Sequence, residues 1–287
     1  MGIILAILLF SAIIIIHELG HFLLAKANGI RVDEFSLGLG PTLFGKQFGE
    51  TKFSVKLLPF GGACMMGEDD VEDISEGSFN SKSVWARMSV IVAGPLFNLI
   101  LAWILCMIMI AWVGYRTPVV GGVIDGYSAQ EQGLSEGDVI TKIGGRSVHI
   151  WNDISLYNLT HSEEKEVEIT YKRDGKTHTA VLEPRQKEGD TAPLLGVTGG
   201  KMERPGFFGT LKYGAYTVKY WIDYTVDSLR MLVTGRVGMK DLSGPVGIVS
   251  AVDGVYQEAA PAGLSVIILN LMNIGILITD HNVYETL

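Results

Sequence analysis

This sequence of 287 residues has few cysteines and fewer basic than acidic residues, and each of these shortages argues against a class of protein. The two cysteines, Cys64 and Cys106, cannot supply the disulfide framework that holds small secreted domains together. We expect Cys64 to be an inert small side chain rather than a reactive thiol. The chain has 23 basic and 31 acidic residues, a net charge of −8, which argues against nucleic acid as a partner.

Three stretches lack charge altogether: residues 3–16, 88–113 and 262–279. About 20 apolar residues cross the hydrocarbon core of a bilayer, so the second stretch spans it and the third is just long enough. The first spans only if its helix continues to Ala25. No basic side chain precedes it, so we expect a retained helix rather than a signal peptide. The lipid bilayer is therefore the first predicted partner.

The segment between the first two spans is rich in glycine and in short β-type runs. Residues 52–57 alternate between polar and apolar side chains, which predicts a strand with one buried face. Four residues that favour turns interrupt the preceding run: Gly38, Gly40, Pro41 and Gly45. Basic residues near the membrane favour a cytoplasmic position for this segment, and they are Lys26, Arg31, Lys82 and Arg87.

A polar module of ordinary soluble composition follows the second span, at residues 117–200. Within it, residues 167–171 predict a strand and residues 173–176 predict a turn. The next segment, 205–240, is amphipathic and rich in aromatic side chains. Either a position along the membrane interface or packing against the polar module explains this pattern, and the sequence favours neither.

The residues with the clearest chemistry are His17, Glu18 and His21. Histidines four residues apart lie on one face of a helix, one turn apart, so both imidazoles can bind one zinc ion. Glu18 follows the first histidine and can take a proton from water as a general base. The pattern predicts a Zn2+-dependent enzyme that hydrolyses peptide bonds, with His17 and His21 as metal ligands and Glu18 as catalytic base.

Three ionisable residues in an otherwise apolar span are hard to explain by structure alone. A charged group at membrane depth costs at least about 2.5 kcal/mol on insertion scales, so such residues are functional by default. Catalytic zinc usually has three protein ligands and a water. We expect the third ligand on another helix, and the candidates beside the third span are Asp280, His281 and Glu285.

The polar module resembles a PDZ domain in residues 128–140, SAQEQGLSEGDVI, and in residues 143–148, IGGRSV. Such domains bind an extended peptide at a sheet edge, often by its terminal carboxylate. By this resemblance, Val120–Val123 would form the carboxylate-binding loop and the strand after it. Two roles remain open for the module, namely binding a peptide ligand or acting only as a spacer or size filter.

Five motifs, by their order and spacing, resemble the bacterial site-2 protease family of the regulator-of-sigma-E type. They are HELGHF at 17–22, EFSLGLGP at 34–41, LLPFGG at 57–62, AGPLFN at 93–98 and LSGPVGI at 242–248. The resemblance covers residues 1–277. It implies a polytopic α-helical membrane protein with a membrane-associated β-rich loop and an inserted α+β PDZ-like domain, located as a multi-pass protein in the cell inner (cytoplasmic) membrane.

Members of that family are zinc metalloendopeptidases of regulated intramembrane proteolysis. They cut single-pass membrane proteins within or near the spanning segment, and their substrates include anti-sigma factors and remnant signal peptides. The resemblance thus implies membrane protein substrates and a PDZ domain that restricts access by large, uncut proteins. The β-rich loop would present substrate as an extended strand, because a membrane helix keeps its backbone amides paired.

The predicted organisation has four parts. Residues 1–113 form the N-terminal membrane part, with two spans and the β-rich loop, and residues 114–200 form the PDZ-like domain. Residues 201–260 form an amphipathic linker region, and residues 261–287 form the third span.

The third span departs from the family pattern at its end. By the resemblance, an aspartate in an L-D-G motif is the third zinc ligand, and Thr286 occupies its position here. We expect a truncated or frame-shifted C-terminus, a zinc site lacking its third ligand, weak zinc binding and reduced activity of this chain. The alternative function is an inactive membrane scaffold that recruits partners through its PDZ domain. A transporter explains neither the histidine spacing nor the polar module.

Overall fold

The computed structural model describes residues 2–67, 74–161, 163–187 and 193–236, and also 250, 252–254, 256–258, 270 and 272. The chain divides into two compact units, whose main described parts lie within Met1–Leu105 and Cys106–Met239. Most of the predicted third span lies outside the described residues, and so do the ligand candidates Asp280, His281 and Glu285.

Two helices correspond to the first two predicted spans. Helix α1 covers Gly2–Ala27 and helix α2 covers Val84–Trp112. Mean hydropathy is 2.1 over the 21 residues Ile7–Ala27 and 2.3 over the 29 residues of α2. Both helices are therefore long and apolar enough to cross a membrane, by length and composition.

Helix α1 ends in a glycine cap. Gly29 adopts a left-handed backbone conformation with φ of 64°. This turn lets the Ile30 amide donate to the Ala25 carbonyl at 2.9 Å and the Gly29 amide donate to the Lys26 carbonyl at 3.1 Å. Such a pair of hydrogen bonds satisfies the last carbonyls of a helix and directs the chain away from its axis.

The glycine-rich segment forms two long strands, β1 at Glu34–Phe48 and β2 at Thr51–Met65. Each strand folds back on itself. Phe35 of β1 pairs with both Phe53 and Cys64 of β2, and Phe53 of β2 pairs with both Phe35 and Lys46 of β1. Gly38 and Gly40 have φ of 86° and 87°, so the predicted turns are bends within a strand rather than its ends. The strand predicted at residues 52–57 is confirmed, since this run lies inside β2. Its predicted buried apolar face is wrong, because Val55 and Leu57 are exposed and Ser54 is buried.

A small core joins the sheet to α1 and α2. The rings of Phe22, Phe35 and Phe53 contact one another, with centroids 5.4 to 5.8 Å apart. The buried apolar residues of this cluster come from both helices, the sheet and the loops, and they are Ala25, Ile30, Val32, Phe35, Cys64, Met66, Phe79 and Val90. The sheet is thus held against the end of α1 where the two histidines lie.

The second unit contains a four-stranded sheet with the order β6-β5-β7-β8. These strands are β5 at Val139–Ile143, β6 at Arg146–Ser147, β7 at Val167–Arg173 and β8 at Lys176–Leu182. Asp174 and Gly175 connect β7 to β8 with φ of 51° and 75°. Two consecutive left-handed residues are typical of a tight hairpin turn, so the predicted strand and turn are confirmed.

Short elements complete this unit. Strand β3 at Tyr115–Arg116 pairs with β10 at Met202–Glu203, and β4 at Val120–Val123 pairs with β9 at Val197–Gly199. Helices α3 and α4 cover Ser128–Glu131 and Trp151–Thr160. The core contains fully buried Ile140, Ile154, Ile169 and Leu182, so the polar module has a hydrophobic core of its own.

Val120–Val123 were expected to form a carboxylate-binding loop and the strand after it. The strand is present as β4, and it takes up all four residues, so the loop does not lie within them. Val120 hydrogen-bonds along one side, donating to Asp138 and accepting from Gly137, each at 2.8 Å. On its other side, Val120 pairs with Gly199 of β9. The returning chain at β9 takes the position beside β4 that an added peptide strand would need at this residue.

The amphipathic segment folds as helix α5, Phe207–Val233, and packs against the polar module. Tyr213 stacks on Tyr115 with ring centroids 3.8 Å apart, and Tyr216 stacks on His149 at 3.9 Å. Of the two positions that the sequence left open, these contacts support packing against the module.

Candidate metal centre

Helix α1 places His17 and His21 one turn apart on one face, as their spacing requires. Their ring centroids are 4.8 Å apart and the ring planes are 77° from parallel. Both side chains are half-buried, so the pair is partly shielded from its surroundings. The predicted histidine pair is therefore present as a geometric unit.

The Nε2 atoms of both histidines face the same point beside α2. A β-carbon built at Gly94 would lie 2.5 Å from Nε2 of His17 and 2.5 Å from Nε2 of His21. Only glycine at position 94 leaves this space empty, because the β-carbon of any other residue would lie in it. Because two imidazole nitrogens converge on one small space, the arrangement suits a shared metal ion.

The remaining nitrogen of each ring faces a polar group of α2. Nδ1 of His21 lies 2.7 Å from the Val90 carbonyl oxygen. A carbonyl only accepts, so this Nδ1 carries the hydrogen and Nε2 keeps its lone pair for a metal. Nδ1 of His17 lies 3.2 Å from Nδ2 of Asn98.

The motif AGPLFN supplies the surface of α2 that faces the histidines. Val90, Gly94 and Asn98 are spaced by four residues and therefore lie on one face of the helix. Sequence reasoning recognised the motif as a family signature but assigned no role to Gly94 or Asn98. One signal was available, because Asn98 is an amide in a stretch without charge.

Glu18 lies beside strand β2. A β-carbon at Gly62 would be 3.3 Å from Cγ of Glu18 and 3.6 Å from Cγ2 of Ile14. Further along α1, the Ser11 hydroxyl donates a hydrogen bond to the Pro59 carbonyl. Residues 59–62 of β2 therefore run along α1 up to the predicted catalytic glutamate.

The donor set of the histidine pair fits zinc, which binds imidazole nitrogen readily. Across the parts of the chain that the structure describes, no group of three or more His, Cys, Asp or Glu side chains is arranged to hold a metal ion. Helix α1 thus positions two candidate ligands, and the candidates for a third, Asp280, His281 and Glu285, lie outside the described residues.

Comparison with known proteins identifies the family to which the chain belongs. The chain belongs to peptidase family M50, whose family model matches residues 5–283. It is 38% identical over 262 residues to a protein of Clostridium acetobutylicum named as a zinc metalloprotease, covering 91% of this chain and 76% of the relative. The family and the names of its members make this chain a metalloprotease that uses Zn2+.

Two further relatives extend the comparison. A Clostridium perfringens protein, also named as a zinc metalloprotease, is 35% identical over 93% of this chain and 78% of its own length. The regulator of sigma-W protease RasP of Bacillus subtilis is 29% identical over 93% of this chain and 85% of its own length. A solved PDZ domain from Listeria monocytogenes covers 30% of this chain and 88% of its own, with 28% identity and a TM-score of 0.24.

Proposed function

We propose that this chain is an intramembrane endopeptidase whose zinc ligands include His17 and His21 and whose catalytic base is Glu18. One observation carries the proposal: the two Nε2 atoms converge on a single point within a helix long enough to cross a membrane. Ionisable side chains in such a helix are costly, so their convergence calls for a function.

The chemistry is divided between the metal and the chain. Zinc, when bound, polarises the scissile carbonyl and makes hydroxide available near neutral pH. Glu18 accepts a proton from the attacking water and returns it to the leaving amine. The histidine rings are held by α2 so that Nε2 of each faces the same space, which keeps the site ready before substrate arrives.

Strand β2 would hold the substrate beside Glu18. A membrane helix has its amides paired, so a protease needs the substrate to unwind into an extended segment. Residues 59–62 pass along α1 next to Glu18, and a strand is a suitable template for an extended peptide. We therefore propose that the scissile segment lies alongside this part of β2.

The sheet also has an apolar exposed surface, which supports contact with lipid or with the spanning segment of a substrate. Its large exposed side chains are Leu39, Leu43, Phe44, Phe48, Val55, Leu57 and Leu58. Exposed large apolar side chains in this number on one small sheet support an interaction site. With α1 and α2, it supports a multi-pass position in the cell inner membrane, with single-pass membrane proteins as substrates.

The name of one relative, the regulator of sigma-W protease, supports a proposal for the substrate class. We propose anti-sigma factors and remnant signal peptides as substrates, with the PDZ-like module excluding large, uncut proteins. A peptide ligand of the module is a second possible partner.

Substitution of the base tests the proposal. Glu18→Gln should lower cleavage of a single-pass reporter protein in proteoliposomes by about 10²- to 10⁴-fold, the usual contribution of general acid–base catalysis. Zinc content and membrane insertion should stay as in the wild type, because glutamine has the same shape. Unchanged cleavage by this variant would remove Glu18 from the mechanism, and loss of insertion would indicate a structural role.

A further inference from the structure

Asn98 is a buried amide in an apolar helix. It is fully buried, at 0% exposure, and its Nδ2 lies 3.2 Å from Nδ1 of His17. Its Oδ1 is also buried and has no hydrogen-bond partner among the residues that the structure describes. Leaving a buried amide oxygen unpaired costs free energy, so the position of this side chain needs a reason.

The hydrogen positions of the two side chains constrain each other. If His17 offers Nε2 to a metal, its ring hydrogen is on Nδ1, which is then a donor. A donor at this position needs an acceptor, and in Asn98 the acceptor is Oδ1. Half a turn of the carboxamide exchanges Oδ1 and Nδ2 and brings the acceptor to Nδ1 without moving the helix.

We propose that Asn98 is a positioning residue for His17, in which Oδ1 accepts a hydrogen bond from the Nδ1–H of the imidazole. This bond fixes the tautomer and the ring plane, so that Nε2 faces the space beside Gly94. The inference rests on the proposed role of His17 as a zinc ligand.

His21 provides the internal comparison. Its Nδ1–H is held by the Val90 carbonyl at 2.7 Å, and Val90 and Asn98 lie two turns apart on the same face of α2. Helix α2 thus contacts both rings, that of His21 through the backbone carbonyl of Val90 and that of His17 through the side chain of Asn98. Only the side-chain contact can be removed by substitution, which makes Asn98 the residue to test.

The experiment compares zinc affinity of three full-length variants in detergent micelles, by competition with a chromophoric chelator. Asn98→Leu removes the acceptor and keeps similar volume, and it should weaken zinc binding by about 10- to 100-fold, as outer-shell substitutions do. Asn98→Asp keeps an acceptor and should bind zinc nearly as the wild type does. Ala102→Gly, at a buried site one turn further along α2, is the control for a disturbed helix.

The absorption spectrum of bound Co2+ supplies a second readout, because it reports ligand geometry rather than overall stability. A changed spectrum in Asn98→Leu, restored in Asn98→Asp, supports the proposal. Equal affinity and an unchanged spectrum in Asn98→Leu would overturn it, as would equal losses in the Leu and Asp variants. If Asn98→Leu does not fold, Asn98→Ala takes its place, since alanine removes the amide without adding bulk.

A parallel variant keeps this inference separate from the proposed function. His17→Ala should lose zinc binding whether or not Asn98 orients the imidazole of His17. If His17→Ala binds zinc as the wild type does, the assignment of His17 as a ligand fails. If His17→Ala loses zinc and Asn98→Leu does not, only the role of Asn98 fails.

Discussion

Gly62 lies against Glu18, close enough that a β-carbon at position 62 would be 3.3 Å from Cγ of the glutamate. The same β-carbon would be 3.1 Å from the carbonyl oxygen of Ser36, a backbone atom that cannot move freely. The approach of β2 to the predicted base therefore depends on the absence of a side chain at position 62.

Gly62→Val tests this close approach. The added side chain should displace β2 from Glu18 and lower cleavage of a membrane reporter by about tenfold or more, since small misplacements at a reacting centre cost up to about 10²-fold. Zinc affinity should not change, because the nearest neighbours of a β-carbon at Gly62 belong to Ser36, Glu18 and Ile14 rather than to a histidine ring. Gly45→Val is a matched control, as its β-carbon first meets the end of the flexible Lys52 side chain. Similar activity of the two variants would contradict the role of Gly62.

Gly94→Ala should abolish zinc binding while the helix remains folded. Its methyl group would lie 2.5 Å from Nε2 of both histidines, in the space where the two lone pairs meet. Alanine is favourable in a helix, so the loss cannot be a propensity effect. Elemental analysis of the purified protein measures zinc, and circular dichroism measures helix content. Gly206→Ala, with nothing within 4 Å of its β-carbon, is the control. Full zinc content in Gly94→Ala would place the metal elsewhere.

Alanine substitutions of Asp280, His281 and Glu285 decide whether the C-terminal sequence completes the zinc site. Because the sequence has Thr286 where the family pattern has its aspartate, we expect weak zinc binding that none of the three substitutions changes. Chelator competition measures each affinity, and His21→Ala defines the background. Tight binding at one zinc per chain, lost in a single variant, would identify that residue as the third ligand and show that the site is complete.

The ion pair between Asp138 and Arg173 predicts that the stability of the second unit depends on pH. Burial raises the pKa of this carboxyl, but hydrogen bonds from Arg173 and from the Ser135 amide lower it further, so its pKa lies below the usual value. A depressed pKa in the folded state stabilises the fold above the unfolded value of about 3.9, and this contribution is lost as pH falls through the folded pKa.

Amide exchange of β7, corrected for intrinsic rates, should therefore show less protection at about pH 3 than at about pH 5. Asp138→Asn should show reduced protection already at about pH 5 and a weaker dependence on pH. The exposed turn residue Asp174 offers the control Asp174→Asn, because asparagine also tolerates the left-handed conformation found there. An identical pH profile in wild type and Asp138→Asn would show that this ion pair is not the source.

The sequence predicted those features that depend on local pattern. Uninterrupted apolar runs predicted where α1 and α2 lie, and alternation predicted the strand at residues 52–57. The histidine pair followed from helical geometry alone. These features need no knowledge of what packs against them.

The residues of α2 that contact the two histidines were not predictable in the same way. Gly94 and Asn98 lie more than 70 residues from His17 and His21 in the sequence, so their roles depend on how α1 and α2 pack. The prediction of a carboxylate-binding loop at Val120–Val123 failed for a similar reason. The partner strand β9 is more than 70 residues further along the chain, and nothing in the local sequence of β4 indicates that pairing.

The contact between Arg146 and Asp227 has a mechanical consequence. The guanidinium donates two hydrogen bonds to the buried carboxylate, at 2.5 and 3.0 Å, and Tyr216 holds α5 at a second point by stacking on His149. These two points lie 11 residues apart on the helix, or about 16 Å along its axis. A helix held at two separated points cannot pivot about either one, so these contacts fix the orientation of α5 on the polar module.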